Sequence, residues 1–211
     1  MFERVTTSAT TKTKLIPRIL GLRGEIIRKL IHFVVAVIPL VAAYSKVLAF
    51  SLLATGTIGY VIAENLRLSG MKVLLISNIT VLSSRERDRG RFVMGPVTLA
   101  IGAMIALLLY PEPASRIAIY ALAFGDGFAS LVGKLIGGVR IPYTKGKTLA
   151  GSLACFFVVA IISFRILQNP AKALTVAAVA TLLEVLPTDD LDNILIPVGT
   201  GFATVILLGM I

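Results

Sequence analysis

The feature that most constrains this chain is a run of long apolar segments separated by short charged ones. Val47–Leu66 alone offers twenty residues in which Glu64 is the only charge. About twenty apolar residues in helical form cross the hydrocarbon core of a bilayer. Inside that core every backbone amide must find an internal partner, so such segments fold as helices. Similar runs are Leu30–Tyr44, Phe92–Tyr110, Arg116–Leu135, Leu149–Phe164, Ala171–Leu186 and Asn193–Ile211. The expectation is an all-α polytopic membrane protein of about seven transmembrane helices. Lys72–Ser84 holds too few apolar residues to cross and is expected as a short interfacial or re-entrant helix.

Of the 211 residues 56% are hydrophobic and only 15% charged, against about a quarter charged in soluble domains. That leaves no separate soluble catalytic domain. Residues 1–28 form a basic segment, partly disordered or lying on the membrane surface. Residues 29–211 form one transmembrane domain that would carry any catalysis. No small-residue cleavage site follows the first apolar run, so no cleaved signal peptide is expected. Cys155 has no second cysteine to pair with and is read as a packing residue. No internal repeat points to an inverted-repeat transporter.

The formal charge of +10 suits the cytoplasmic loops of a membrane protein rather than nucleic acid. Seven spans starting inside leave 17 of the 21 lysines and arginines in residues 1–29, 67–91, 134–147 and 187–192. The N-terminus is therefore expected in the cytoplasm and the C-terminus on the opposite side. This orientation gathers His32, Glu64, Asn65, Lys145, Lys147, Thr148, Glu184 and the acids after Leu186 at the cytoplasmic side. An active site facing the cytoplasm is the consequence.

Asp126 lies deeper, eight residues or about 12 Å of helix from Lys134. An ionisable group at that depth is costly and marks function. Helical spacing puts Asp126, Ala129, Ser130, Gly133 and Gly137 on one small, polar face. Lys145-Gly-Lys-Thr148 follows as a basic loop whose lysines and glycine amides suit phosphate oxygens, although no P-loop spacing precedes it. Asp126 with Asp189, Asp190 and Asp192 forms a candidate Mg²⁺ set, since magnesium takes one or two carboxylates and completes its shell with water and phosphate. Glu184 and Glu64 either accept a proton from a substrate hydroxyl or pair with an arginine. His32 shares a helix face with Arg28 and Lys29. The arginines of 85–91 suit headgroup phosphate, nucleotide phosphate or anionic lipid.

Four motifs in order carry a resemblance: Arg28-Lys-Leu-Ile-His-Phe33, Gly125-Asp-Gly-Phe-Ala-Ser-Leu-Val-Gly-Lys-Leu-Ile-Gly-Gly138, Lys147-Thr-Leu-Ala-Gly-Ser152, and Glu184-Val-Leu-Pro-Thr-Asp-Asp-Leu-Asp-Asn-Ile-Leu-Ile-Pro197. Together they resemble the polyprenol kinase family, which includes dolichol and phytol kinases and is related to the CDP-diacylglycerol synthases. The resemblance implies CTP-dependent phosphoryl transfer to a membrane-embedded isoprenoid alcohol. It implies Asp126 and the acids before Asn193 near metal and triphosphate, and Lys145, Lys147 and Thr148 on phosphate. Gly125, Gly127, Ser130, Gly133, Lys134, Gly146 and Asn193 complete the expected nucleotide and phosphate set. Asp126, Glu184 and Lys147 are the expected catalytic residues, with Glu184 orienting or deprotonating the alcohol. His32, Glu64, Asn65 and Arg28 are secondary candidates.

The chain departs from the cytidylyltransferase relatives at Ala150, where they carry glutamate, and it lacks their C-terminal signature. That favours the kinase. The alternatives are a cytidylyltransferase making a CDP-lipid and a non-enzymatic transporter, for which acids spread through the membrane depth are expected rather than gathered on one side. Oligomeric state is not legible.

Overall fold

The structure, a computed structural model, describes residues 23–71, 88 and 90–210. The expected interfacial helix Lys72–Ser84 and most of the arginine-rich loop lie outside the described residues. The first helix, α1 (residues 23–35), passes through a turn at Ala36 and Val37 into α2 (Ile38–Tyr44). Pro39 stands in the first turn of α2, where its missing N–H costs nothing. Ser45 caps α3 (Lys46–Leu68), its Oγ accepting from Leu48 N at 3.2 Å. Next come α4 (Gly95–Leu109) and α5 (Ala114–Tyr120). A π-helical turn, Ala121–Asp126, joins α5 to α6 (Gly127–Ile136). Thr148 caps α7 (Leu149–Leu167) and Asn169 caps α8 (Pro170–Val185). The last helix is α9 (Asp192–Leu208).

Among the described residues there is no strand, only an isolated bridge between Arg140 and Thr148. The all-α polytopic class is the observed one. Arg23–Tyr44, Lys46–Leu68, Ala114–Ile136 and Leu149–Leu167 are long and apolar enough to cross a membrane. Gly95–Leu109 and Asp192–Leu208 are apolar but shorter, and Pro170–Val185 has 16 residues. A count of seven crossings is therefore not established. The helix expected to begin at Phe92 begins at Gly95 because Val93 N donates to Glu64 Oε1 at 2.9 Å, outside any helical ladder. At the other end of the first helix, residues 23–28 are already helical, although charge alone assigns them to the basic arm.

The helices pack through small residues. Ala103, Ala106, Ala118, Ala177 and Ala180 are fully buried, which lets backbones approach closely as in other membrane bundles. Around them Ile117, Leu122, Val159, Val176 and Ile196 fill the centre. The outward residues Val34, Leu40, Leu108, Ile161 and Leu182 are largely exposed. In water such a surface would drive association; against lipid tails it is at home.

The tightest backbone approach joins α4 to α9. A Cβ on Gly102 would come 2.0 Å from Asn193 O. Gly102→Ala is expected to destabilise the bundle by about 2–3 kcal/mol through forced separation of these helices. Thermal unfolding in detergent, which should fall by several degrees, checks this.

Glu64 has a structural post. It is fully buried, and Arg67 grips both of its oxygens at 2.7 Å while Val93 N takes Oε1 as well. Arg67 also donates to Arg91 O at 3.0 Å. The set ties α3 to the segment entering α4. Of the two roles open to Glu64, the pairing with arginine is the one seen. Glu64→Gln weakens a buried charged pair and is expected to cost about 3 kcal/mol. Folded yield and unfolding temperature should drop, with the KM values of the surviving folded fraction unchanged.

Candidate functional site

A cavity of about 370 Å³ opens between α1, α6, the loop before α7, the end of α8 and the start of α9. That is within the ~300–1,000 Å³ usual for small-molecule sites. Its walls include Glu25, Arg28, Asp126, Ser130, Gly133, Lys134, Lys145, Gly146, Lys147, Thr148, Glu184, Asp189 and Asp192. Most of the expected site residues thus converge from four motifs that are far apart in sequence.

Asp126 sits at the inner end. The π-helical turn that ends at Asp126 admits an extra residue into the helix and shifts the register of α6 behind it. The carboxylate is 2% exposed. Lys29 Nζ, 3% exposed, donates to its Oδ2, and His32 Nδ1 lies 3.2 Å from the same oxygen. Glu25, one helical turn before Lys29, takes Arg28 and Lys134. Glu25, Arg28, Lys29 and His32 thus form a charged stripe down one side of α1, at the three- and four-residue spacing of a helix face. Sequence reasoning sees part of this stripe, with Arg28, Lys29 and His32 on one face, but Lys29 looks like one more cation of a basic arm, and nothing singles out Glu25.

The outer part of the cavity is built by the loop from Gly137 to Thr148. Tyr143, Lys145 and Gly146 all have positive φ, at 63°, 53° and 89°. Only Gly146 adopts that conformation without strain. The curl brings Lys147 inward, where its Nζ pairs with Glu184 Oε1 at 2.9 Å, donates to Glu184 O and lies 3.8 Å from Asp192 Oδ2. Burial opposes the charge on Lys147, but Glu184, Asp126 and Asp192 outweigh it and hold the ammonium above the ordinary lysine value. Ser152 Oγ donates to Glu184 Oε2 at 3.2 Å, so both oxygens of Glu184 are engaged. Glu184 is thereby placed to position Lys147. At the rim Lys145 Nζ meets Asp189 Oδ2 at 3.1 Å.

Several candidates lie elsewhere. A Cβ on Gly125 would meet Val159 Cγ2 at 2.9 Å, and one on Gly127 would meet Phe33 Cε1 at 2.5 Å. Neither is among the cavity walls: both glycines let neighbouring side chains in. Gly133 does line the cavity, and a Cβ there would come 2.8 Å from Thr148 Oγ1. Gly137, expected on the Asp126 face, instead ends α6 with φ 67°. Asn193 binds Thr98 Oγ1 at 2.9 Å and Gly95 O at 3.3 Å. Asn65 donates to Val61 O in its own helix. The four aspartates are divided, with Asp189 on the large cavity, Asp190 on a neighbouring cleft and Asp126 and Asp192 on both.

Among the described residues no three His, Cys, Asp or Glu side chains form a cage for a metal ion. A pair does suit magnesium. It needs only one or two carboxylates when phosphate oxygens and water complete its shell. Asp126 and Asp192 bound the same space and are the carboxylates that would hold such an ion.

Fold and geometry together define a polytopic all-α membrane protein with a buried acid–lysine cluster facing a polar, lysine-bordered cavity. In sequence the chain is homologous to plant kinases of isoprenoid alcohols. It is 29% identical over 153 residues to the probable chloroplastic phytol kinase of Triticum aestivum, covering 64% of this chain and 50% of that one. Against phytol kinase 1 of Arabidopsis thaliana it is 28% identical over 154 residues, or 64% and 49% of the two chains. Against the farnesol kinase of the same plant it is 26% identical over 211 residues, or 89% and 68%. The chain spans about half the length of the phytol kinases it matches. No family model matches it. No solved structure matches it either.

Proposed function

We propose that the protein is a CTP-dependent kinase that phosphorylates an isoprenoid alcohol at the cytoplasmic face of its membrane. The observation that carries this reading is the convergence of Lys134, Lys145, Lys147 and Thr148 around one cavity that ends on Asp126. A triphosphate brings several negative charges, and the three lysines with the Gly146 backbone suit them. Lys147, held by Glu184, is directed at the phosphate undergoing transfer. Asp126 and Asp192 would hold Mg²⁺, which would supply positive charge to offset that of the phosphates.

In the reaction the alcohol oxygen bonds to the terminal phosphorus of CTP as the bond to the bridging oxygen breaks, releasing CDP. The hydroxyl proton passes to an oxygen of the transferred phosphoryl group, whose second pKa is about 6, and then to water. No protein base is needed, in keeping with a reaction dominated by positioning and charge. The homology to phytol and farnesol kinases supports the acceptor class.

The test is to incubate the detergent-purified protein with Mg²⁺, CTP labelled at the terminal phosphate, and a panel of phytol, farnesol, geranylgeraniol and dolichol. Label in a prenyl monophosphate is the expected result. Failure of every alcohol to take label, in protein shown to be folded, contradicts it.

A further inference from the structure

Arg28, Asp126 and Asp192 border two spaces at once. One is the large polar cavity; the other is a cleft between α1, the start of α4 and the start of α9. Ile31, Val93, Pro96 and Leu99 give this cleft an apolar side, while Lys29, His32, Asp88, Asp190 and Asn193 stand on its polar side. The two spaces differ greatly in size, about 370 Å³ against about 30 Å³. Roughly 10–15 Å³ of such volume holds one water, so the cleft takes about two or three groups of that size and not a whole phosphate.

We propose that the cleft is the acceptor site, seating the hydroxyl end of the lipid alcohol with its first carbons against Ile31, Pro96 and Leu99. This rests on the kinase reading given above. Phosphoryl transfer needs the attacking and leaving oxygens roughly in line on one phosphorus, so donor and acceptor sites must share a wall. The shared wall here consists of one guanidinium and two carboxylates. The guanidinium suits a phosphoryl oxygen and the carboxylates suit a metal on the same phosphate. The alcohol oxygen comes from the cleft and the terminal phosphate from the cavity. The new O–P bond forms at that wall, CDP leaves through the cavity, and the proton departs on the phosphoryl group.

Size then acts as selection. A primary hydroxyl on a slender chain enters the cleft, whereas the phosphate head of a phosphatidate does not. The same protein should therefore refuse the substrate of a CDP-lipid synthase, for reasons independent of nucleotide chemistry.

A prenol carrying a diazirine a few carbons from its hydroxyl, clear of the carbon that the cleft confines, tests the site without requiring turnover. Photolysis with the wild-type protein in detergent, followed by peptide mapping, is expected to place label in residues 92–99 and around Ile31. Ile31→Phe, which crowds the cleft, should raise the KM for prenol at least tenfold and leave the KM for CTP unchanged. Leu99→Ala should extend turnover to alcohols branched next to the hydroxyl carbon. Label confined to the outer apolar surface, with transfer intact, overturns the cleft. So does an equal rise of both KM values in Ile31→Phe. Label in the cleft while no alcohol accepts phosphate keeps the site and overturns the kinase reading.

Discussion

Asp126→Asn is expected to lower lipid-alcohol phosphorylation by about 10²–10³-fold, the usual cost of losing one preorganised electrostatic contact to a reacting group. The same change leaves Lys29 buried without its anion. Removing one partner of a buried ion pair costs about 3–5 kcal/mol, so the variant should also unfold at a lower temperature. The two effects are separable. Lys29→Met combined with Asp126→Asn removes both charges and should recover much of the lost stability, since apolar replacement of a buried pair is often neutral or better. It should recover no activity. Turnover and unfolding temperature measured on Asp126→Asn, Lys29→Met and the double variant, beside the wild type, form a cycle. An active double variant would show that Asp126 serves only to neutralise Lys29.

Lys147→Ala is expected to cost about 10²–10³-fold in kcat, by loss of a cation at the developing charge. Its partner behaves differently. Glu184→Gln keeps the side-chain shape and the hydrogen bond to Ser152, so the expected loss is about tenfold. The pH profile carries the sharper signature. Glu184, Asp126 and Asp192 together raise the Lys147 pKa against the opposing effect of burial. A raised lysine pKa means that the charged form, and whatever depends on it, persists below that value and is lost as pH rises through it. Without the Glu184 charge the pKa falls. The alkaline limb of kcat should accordingly move to lower pH in Glu184→Gln, and a merely structural glutamate would leave that limb where it was.

Much of this arrangement is readable in the sequence. Apolar runs locate the helices because hydrocarbon admits little else, and Asp126 declares itself by standing in one of them. The Lys147 loop and Glu184 stand out in the sequence as a basic loop and an acid beside an apolar span, and the structure adds that the two pair. In the α1 stripe Arg28 and His32 already stand out as secondary candidates, whereas Glu25 and Lys29 are hidden among the charges of the basic arm. Basic residues before a first span look like a positive-inside arm, and only the partner contributed by Asp126, 97 residues away, shows why Lys29 is buried. Gly125 and Gly127 read as phosphate contacts because a glycine that admits a ligand and one that admits Phe33 are identical in sequence. The π-helical turn leaves no signal, since a single extra residue in a helix does not alter the apolar pattern around it. Sequence overextends short helices such as Gly95–Leu109 because the tie between Val93 and Glu64 joins residues 29 apart.

The central claim is that one phosphoryl group passes from CTP to a lipid alcohol. Its most direct test tracks both halves of the nucleotide, with CTP labelled at the α-phosphate in one reaction and at the γ-phosphate in another. Each is run with Mg²⁺ and either a prenol or phosphatidate. Kinase chemistry predicts γ-label in the prenyl monophosphate, α-label wholly in CDP, and one mole of each product per mole of CTP. α-Label carried into a CDP-lipid, with pyrophosphate released, would contradict it.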